Sequence, residues 1–139
     1  MKIDSIVNGI VIDHIAAGRG MQLYKLLGLD KLEGCSVAII MNVQSKKMGR
    51  KDIIKVDAAI DLDLDATGYV DPNATVNVIK DGALVEKQDI GLPEQLVDII
   101  RCKNPRCIST TEQELTQIFV LTDRKKGTYR CRYCEAKAE

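Results

Sequence analysis

Residues 6–15, I-V-N-G-I-V-I-D-H-I, are dense in β-branched side chains and predict a first strand, with Gly9 a bulge or a point of close backbone approach. The period then changes. Met21, Leu23, Tyr24, Leu26 and Leu27 recur at helical spacing behind Gly18 and Gly20, and Gly28 supplies a stop. Residues 37–43 and 52–57 read as a second and a third strand and residues 75–79 as a fourth. A tight Lys80-Asp81-Gly82 turn leads into a fifth at residues 83–87. A second helix is expected between the third and fourth strands, but the pattern there conflicts. Asp61, Asp63 and Asp65 alternate with Leu62 and Leu64 in a strand-like way, and Gly68 disfavours a helix. The element order nonetheless predicts an α+β fold, a ferredoxin-like antiparallel sheet with helices on one face.

Gly91 and Pro93 break the pattern, and residues 94–100 read as a short connecting helix or an extended linker. Beyond them, residues 117–121 and 128–134 read as strands joined by a turn at 123–127. The expected organisation is therefore a domain over residues 1–92, a linker over 93–100 and a small all-β domain over 101–139. Some forty residues bury too little apolar surface to fold unaided. The cysteines supply what is missing. Cys102 and Cys107 form C-x4-C, a 23-residue interval follows, and Cys131 and Cys134 form C-x2-C, the outline of a closed tetrahedral zinc site. Four thiolates complete the shell of one zinc ion and leave no position for water or substrate, so the site is structural and not hydrolytic. Cys35, alone beside an apolar run, reads as a buried strand residue.

Disulfides are the competing use of these thiols. The N-terminus, MKIDSIVNGI, lacks a long apolar stretch and a cleavage signature, so a reducing cytoplasmic setting is expected, where thiols bind metal. No apolar run approaches the ~18 residues of a membrane span. Formal net charge is zero, with 15 acidic and 11 basic side chains over residues 1–100 against five and nine over residues 101–139. Arg106, Arg124, Lys125, Lys126, Arg130 and Arg132 surround the expected metal, as in a nucleic-acid-binding zinc-ribbon protein. Four tyrosines, one phenylalanine and no tryptophan offer few stacking platforms for such a role, and nucleic acid is not expected as a partner.

A second constellation lies upstream. Lys46, Lys47, Arg50, Lys51 and Lys55 place five cations in ten residues, and Lys87 ends the predicted hairpin. Lys51 to Lys55 read as a loop entering a strand. Ammonium groups converging from separate strands suit a polyphosphate, although a solvated lysine face gives the same composition. Asp13 beside His14, the only histidine, adds a carboxylate for ribose hydroxyls and an imidazole for phosphate. No glycine-rich phosphate loop is present, so a nucleotide would be held by side chains and strand backbone. The acidic run at residues 61–65 is not a calcium loop, because Ala66 stands where glycine is needed and Pro72 where a bidentate Glu belongs.

G-I-V-I-D-H-I (residues 9–15), M-G-R-K-D-I-I-K (48–55), A-T-V-N-V-I (74–79), L-P-E (92–94), C-K-N-P-R-C-I (102–108) and C-R-Y-C-E (131–135) occur in this order over nearly the whole chain. Together they resemble the regulatory chain of aspartate carbamoyltransferase. The resemblance implies a non-catalytic allosteric subunit of pyrimidine biosynthesis that binds CTP, UTP or ATP through its first domain. It implies a zinc domain that docks on the catalytic chain, self-association as a dimer, and a signal relayed through residues 92–100. By matching motif, it assigns polar contacts with the nucleotide to Asp13, His14, Lys51, Lys55 and Lys87. Ile6, Val11, Asn77 and Ile79 would border the nucleotide, and Leu84 would contact its ribose. Asp4 would lie near a second nucleotide and magnesium position. Gly82 stands where members of the family carry a tyrosine.

Overall fold

Alternation along the first strand decides the architecture of the N-terminal half. In β1 (Gly9–Ala16), Ile10, Ile12 and Ile15 are buried while Val11 and Asp13 stay half-buried on the other side. The order continues with α1 (Gly20–Leu26), a 3-10 turn at Leu29–Lys31, β2 (Val37–Ser45), β3 (Gly49–Val56), α2 (Leu64–Val70), β4 (Thr75–Lys80) and β5 (Ala83–Asp89). This computed structural model describes residues 6–112 and 114–138, and the chain divides into two units, Met1–Gly91 and Leu92–Glu139.

The five strands of the first unit lie in the order β2-β3-β1-β4-β5 with every neighbouring pair antiparallel. The first four strands and two helices form the ferredoxin-like arrangement, and β5 adds an edge strand. Ile10, Ile12, Ile15, Ile54, Val56 and Val76 from the sheet join Leu23 of α1 and Val70 of α2 in one buried cluster. Each fully buried aliphatic side chain contributes about 1.5–3 kcal/mol. The core side of the sheet is thus committed to the helices, and the other side is left for polar groups.

The ambiguous stretch contains the second helix after all. Residues 59–63 belong to no helix or strand and Asp63 itself is extended, so the alternation of Asp61 and Asp63 falls in the lead-in to the helix. Asp63 is the N-cap of α2, its carboxylate accepting from the Ala66 N–H at 3.1 Å while its carbonyl accepts from the Thr67 hydroxyl at 3.0 Å. Gly68 is buried within this seven-residue helix, where packing outweighs propensity. Gly9 is a place of close approach: a Cβ there would sit 2.1 Å from the Val56 carbonyl oxygen. The bulges lie elsewhere, at Asp13–His14 in β1, at residues 41–42 in β2 and next to Leu84 in β5. His14 (φ 59°) and Asn42 (φ 60°) adopt left-handed backbone at the first two. Cys35 is not a strand residue. It occupies the bend before β2, half-buried against the core, because the strand starts only at Val37.

The second unit is a three-stranded antiparallel sheet, β6 (Gln95–Val97), β7 (Ile118–Asp123) and β8 (Thr128–Cys131), in sequential order, with one helical turn, α3 (Ile108–Thr111). Residues 95–97, within the stretch read as a linker, are a strand of this sheet. Leu96 is fully buried and pairs with Phe119, which faces Cys131 on the next strand. The Tyr129 hydroxyl donates to the Pro93 carbonyl, tying the entry of the unit to its last strand. β8 stops at Cys131, earlier than its apolar pattern predicts, because the chain turns there to bring Cys134 back.

Candidate metal centre and effector face

The four cysteines come from two short turns facing each other. Cys102 and Cys107 bracket the approach to α3, whereas Cys131 ends β8 and Cys134 closes the turn behind it. All four sulfurs lie within 4.8 Å of one another, with Cys102 and Cys134 Sγ 3.6 Å apart and Cys107 and Cys131 Sγ 3.7 Å apart. A disulfide needs about 2.05 Å, and all four thiols are free. Zinc–sulfur bonds of about 2.3 Å at tetrahedral angles put sulfurs about 3.8 Å apart, close to the Cys102–Cys134 and Cys107–Cys131 distances. These residues fit one structural zinc. When bound, the ion supplies positive charge and a cross-link between the two turns.

Two supporting residues carry no signal in the cysteine spacing. Gln117, 5% exposed, accepts from the Cys102 N–H at 2.9 Å and donates to the Ser109 carbonyl at 2.8 Å. The buried Ser109 hydroxyl sits 3.0 Å from Cys107 Sγ. That hydroxyl is the main reason the Cys107 thiol is pulled down to about 6, while burial pushes the Cys102 thiol up to about 12. Complete deprotonation of the set therefore calls for a dication at its centre.

In the first unit, register brings the expected nucleotide residues together. Val11 on β1 pairs with Lys55 on β3 and with Asn77 on β4, and Asn77 pairs with Lys87 on β5. Lys55, Val11, Asn77 and Lys87 thus form one row across four strands, on the side away from the buried core. Ile79 pairs with Gly9 and, because of the β5 bulge, with Leu84, which is 59% exposed. Lys51 does not sit in a loop entering the strand, and Lys55 is in the strand as expected. β3 starts at Gly49, so both are on the strand, and side chains four apart share a face at period two.

One end of this face is already organised by ions. Lys51 Nζ lies 2.9 Å from Asp13 Oδ1, which also accepts the His14 N–H at 2.6 Å. Burial raises the Asp13 carboxyl, but Lys51 and the His14 N–H outweigh it and hold the group below the usual carboxylate range. His14 Nδ1 meets the Thr75 hydroxyl at 3.0 Å. The Asn77 side-chain oxygen is buried without a hydrogen-bond partner among the described residues, an acceptor that costs free energy until something donates to it. Ile6 is half-buried ahead of β1, beside Gly9. Gly82, in the β4–β5 turn at φ 77°, donates its N–H to the Val7 carbonyl at 2.8 Å. Asp4 lies outside the described residues.

A cation-lined sheet face in one unit and a thiolate cage fit for a metal in the other define a two-unit, metal-binding chain. Residues 1–91 match the family model for the allosteric domain of the aspartate carbamoyltransferase regulatory chain, and residues 94–139 match the one for its metal binding domain. A relative bearing that name from Clostridium tetani is 46% identical over 136 residues, covering 97% of this chain and 94% of its own. Another from Clostridium acetobutylicum is 47% identical over 135 residues, covering 97% and 92%. A third from Bifidobacterium longum is 43% identical over 139 residues, covering 100% and 99%.

The chain belongs to the family of aspartate carbamoyltransferase regulatory chains. It is a non-catalytic subunit of the pyrimidine pathway, and its partner is a catalytic chain. The nucleic-acid-binding zinc-ribbon reading is not favoured. Among the described residues no helix is long and apolar enough to cross a membrane.

Proposed function

We propose that the open face of the first unit binds nucleoside triphosphates, CTP, UTP or ATP, and that occupancy there biases the activity of the catalytic chain. The observation that carries this reading is the row Lys55, Val11, Asn77 and Lys87, with the Lys51–Asp13 pair at its edge. Lys51, Lys55 and Lys87 would meet the phosphates as point charges on flexible stems. Asp13 and His14 would take ribose hydroxyls and phosphate, and the orphaned Asn77 oxygen would accept from the base or sugar. Ile6, Val11, Ile79 and Leu84 would supply the apolar border.

On this reading residues 1–92 form the allosteric domain and residues 101–139 the zinc domain, with residues 93–100 bridging them while contributing β6. The chain would act in the cytoplasm as a dimer, its zinc domain docked on the catalytic chain. A nucleotide shifts the enzyme only through unequal affinity for its states, typically ~1–3 kcal/mol of coupling. The test is a holoenzyme reconstituted from this chain and its catalytic chain, with substrate saturation recorded in CTP and in ATP. Lys87→Ala should weaken the response to both roughly 10- to 100-fold in nucleotide concentration, the scale of a charged hydrogen bond. Unchanged responses would exclude this face as the effector site.

A further inference from the structure

Asp52 stands apart from every role assigned so far. It is fully buried on the core side of β3, the residue next to Lys51, and its carboxylate is surrounded by backbone donors. Oδ1 accepts the Asn42 N–H at 2.8 Å, and Oδ2 accepts the N–H groups of Gly18 at 3.0 Å and Gly20 at 2.9 Å. These donors belong to the two segments that flank β3, the turn leaving β1 and the bulge of β2.

Both ladders are interrupted beside it. On the β1 side, pairing jumps from Ile12↔Ile54 to Ile15↔Asp52, leaving Asp13 and His14 opposite a single residue. On the β2 side it jumps from Ile40↔Ile53 to Val43↔Lys51. A bulge leaves ladder groups unpaired and re-aims the side chains near it. Here the Asp52 carboxylate supplies an acceptor to the left-handed Asn42 and holds the turn at Gly18 and Gly20, four and six residues beyond the left-handed His14. The space is fitted to it, since a Cβ on Gly20 would lie 2.8 Å from Asp52 Oδ2.

We propose that Asp52 is a positioning residue for effector recognition, its buried carboxylate locking the paired bulges that set Lys51 against Asp13 on the opposite face of the sheet. The inference rests on the nucleotide reading of that face. Asp52 touches no ligand; it keeps the cation and the carboxylate preorganised, so that binding does not have to order them.

Asp52→Asn keeps the shape but leaves one acceptor oxygen where two serve three donors, and turns an NH2 toward at least one of them. Titration of the zinc-loaded holoenzyme with CTP should show binding weakened about tenfold, with effector-free activity and zinc content unchanged. Added to Lys51→Met, Asp52→Asn should cost much less than it does alone, because it acts through Lys51. Gly20→Ala, which displaces the carboxylate without removing its charge, should reproduce the loss. Ile54→Val, a core truncation on the same strand, should lower stability and leave CTP affinity intact.

Wild-type affinity in both Asp52→Asn and Gly20→Ala, or full additivity with Lys51→Met, overturns the proposal, as does an equal loss in Ile54→Val. If Lys87→Ala weakens binding while the Asp52 and Gly20 variants do not, only the positioning role falls. If none of these variants changes CTP binding, or the wild type binds none, the effector face falls with it.

Discussion

In the first unit, Ile12, Ile15, Leu23, Ile54 and Val56 are fully buried members of one aliphatic cluster shared by sheet and helices. In the second, Leu96, Phe119 and Tyr129 are the large buried side chains, and four sulfurs stand beside them. The first unit is held by burial on one side of its sheet, which leaves the other side open, the side proposed to take nucleotide. The second has so little interior that a ligand must become part of it. Ligand chemistry follows the same division. Separate strands present lysines on flexible stems in one unit, whereas two short turns bring four sulfurs together in the other.

The sharpest way to test this contrast is to withdraw the metal. Chelation, or Cys131→Ser, should unfold the second unit with a loss on the order of 10 kcal/mol and abolish assembly with the catalytic chain. Hydrogen exchange on the full chain should show protection retained in β1, β3 and β4. Protection lost equally in both units would erase the distinction. Acid should act in the same direction, since protons compete with the metal for the thiolates.

The reverse perturbation is smaller. Leu23→Ala, at a fully buried position of α1, should cost the first unit about 2–5 kcal/mol. Denaturant melts should show its transition moving while zinc release stays where it was. The least effect is expected from the Asp13–Lys51 pair, which is partly exposed and contributes less than about 1 kcal/mol. The Asp13 carboxyl is depressed in the folded chain, so its contribution is complete above the ordinary carboxylate range and is lost as pH falls through the folded value. Melts of Asp13→Asn should therefore differ from wild type at neutral pH and converge with it in acid. A difference that grows in acid would mean the pair is not stabilising.

These contrasts also mark what could be read from the chain. The zinc ligands were legible because each pair is local and thiolate chemistry admits few alternatives. Strands β1 to β5 followed from β-branched runs, and α1 from its spacing. α2 was obscured because its lead-in is extended and its interior holds Gly68, so the helix owes its existence to packing and the Asp63 cap. The bulges left no trace, since a bulge is a property of two strands in register. Without the β5 bulge Leu84, three residues from Lys87, would face the other way. Gln117 and Ser109 carry no local signal for a similar reason: only the folded turns bring them to the Cys102 N–H and the Cys107 sulfur.

The row of Lys55, Val11, Asn77 and Lys87 has a consequence for how such a chain can change over generations. Pleating inverts the direction of side chains with every residue, so the row amounts to a parity check on the spacing within four strands. Loops between them can lengthen freely, but a single deletion inside any strand sends its contribution into the oily side and silences that position. Only a compensating insertion nearby, a new bulge in effect, would restore the count.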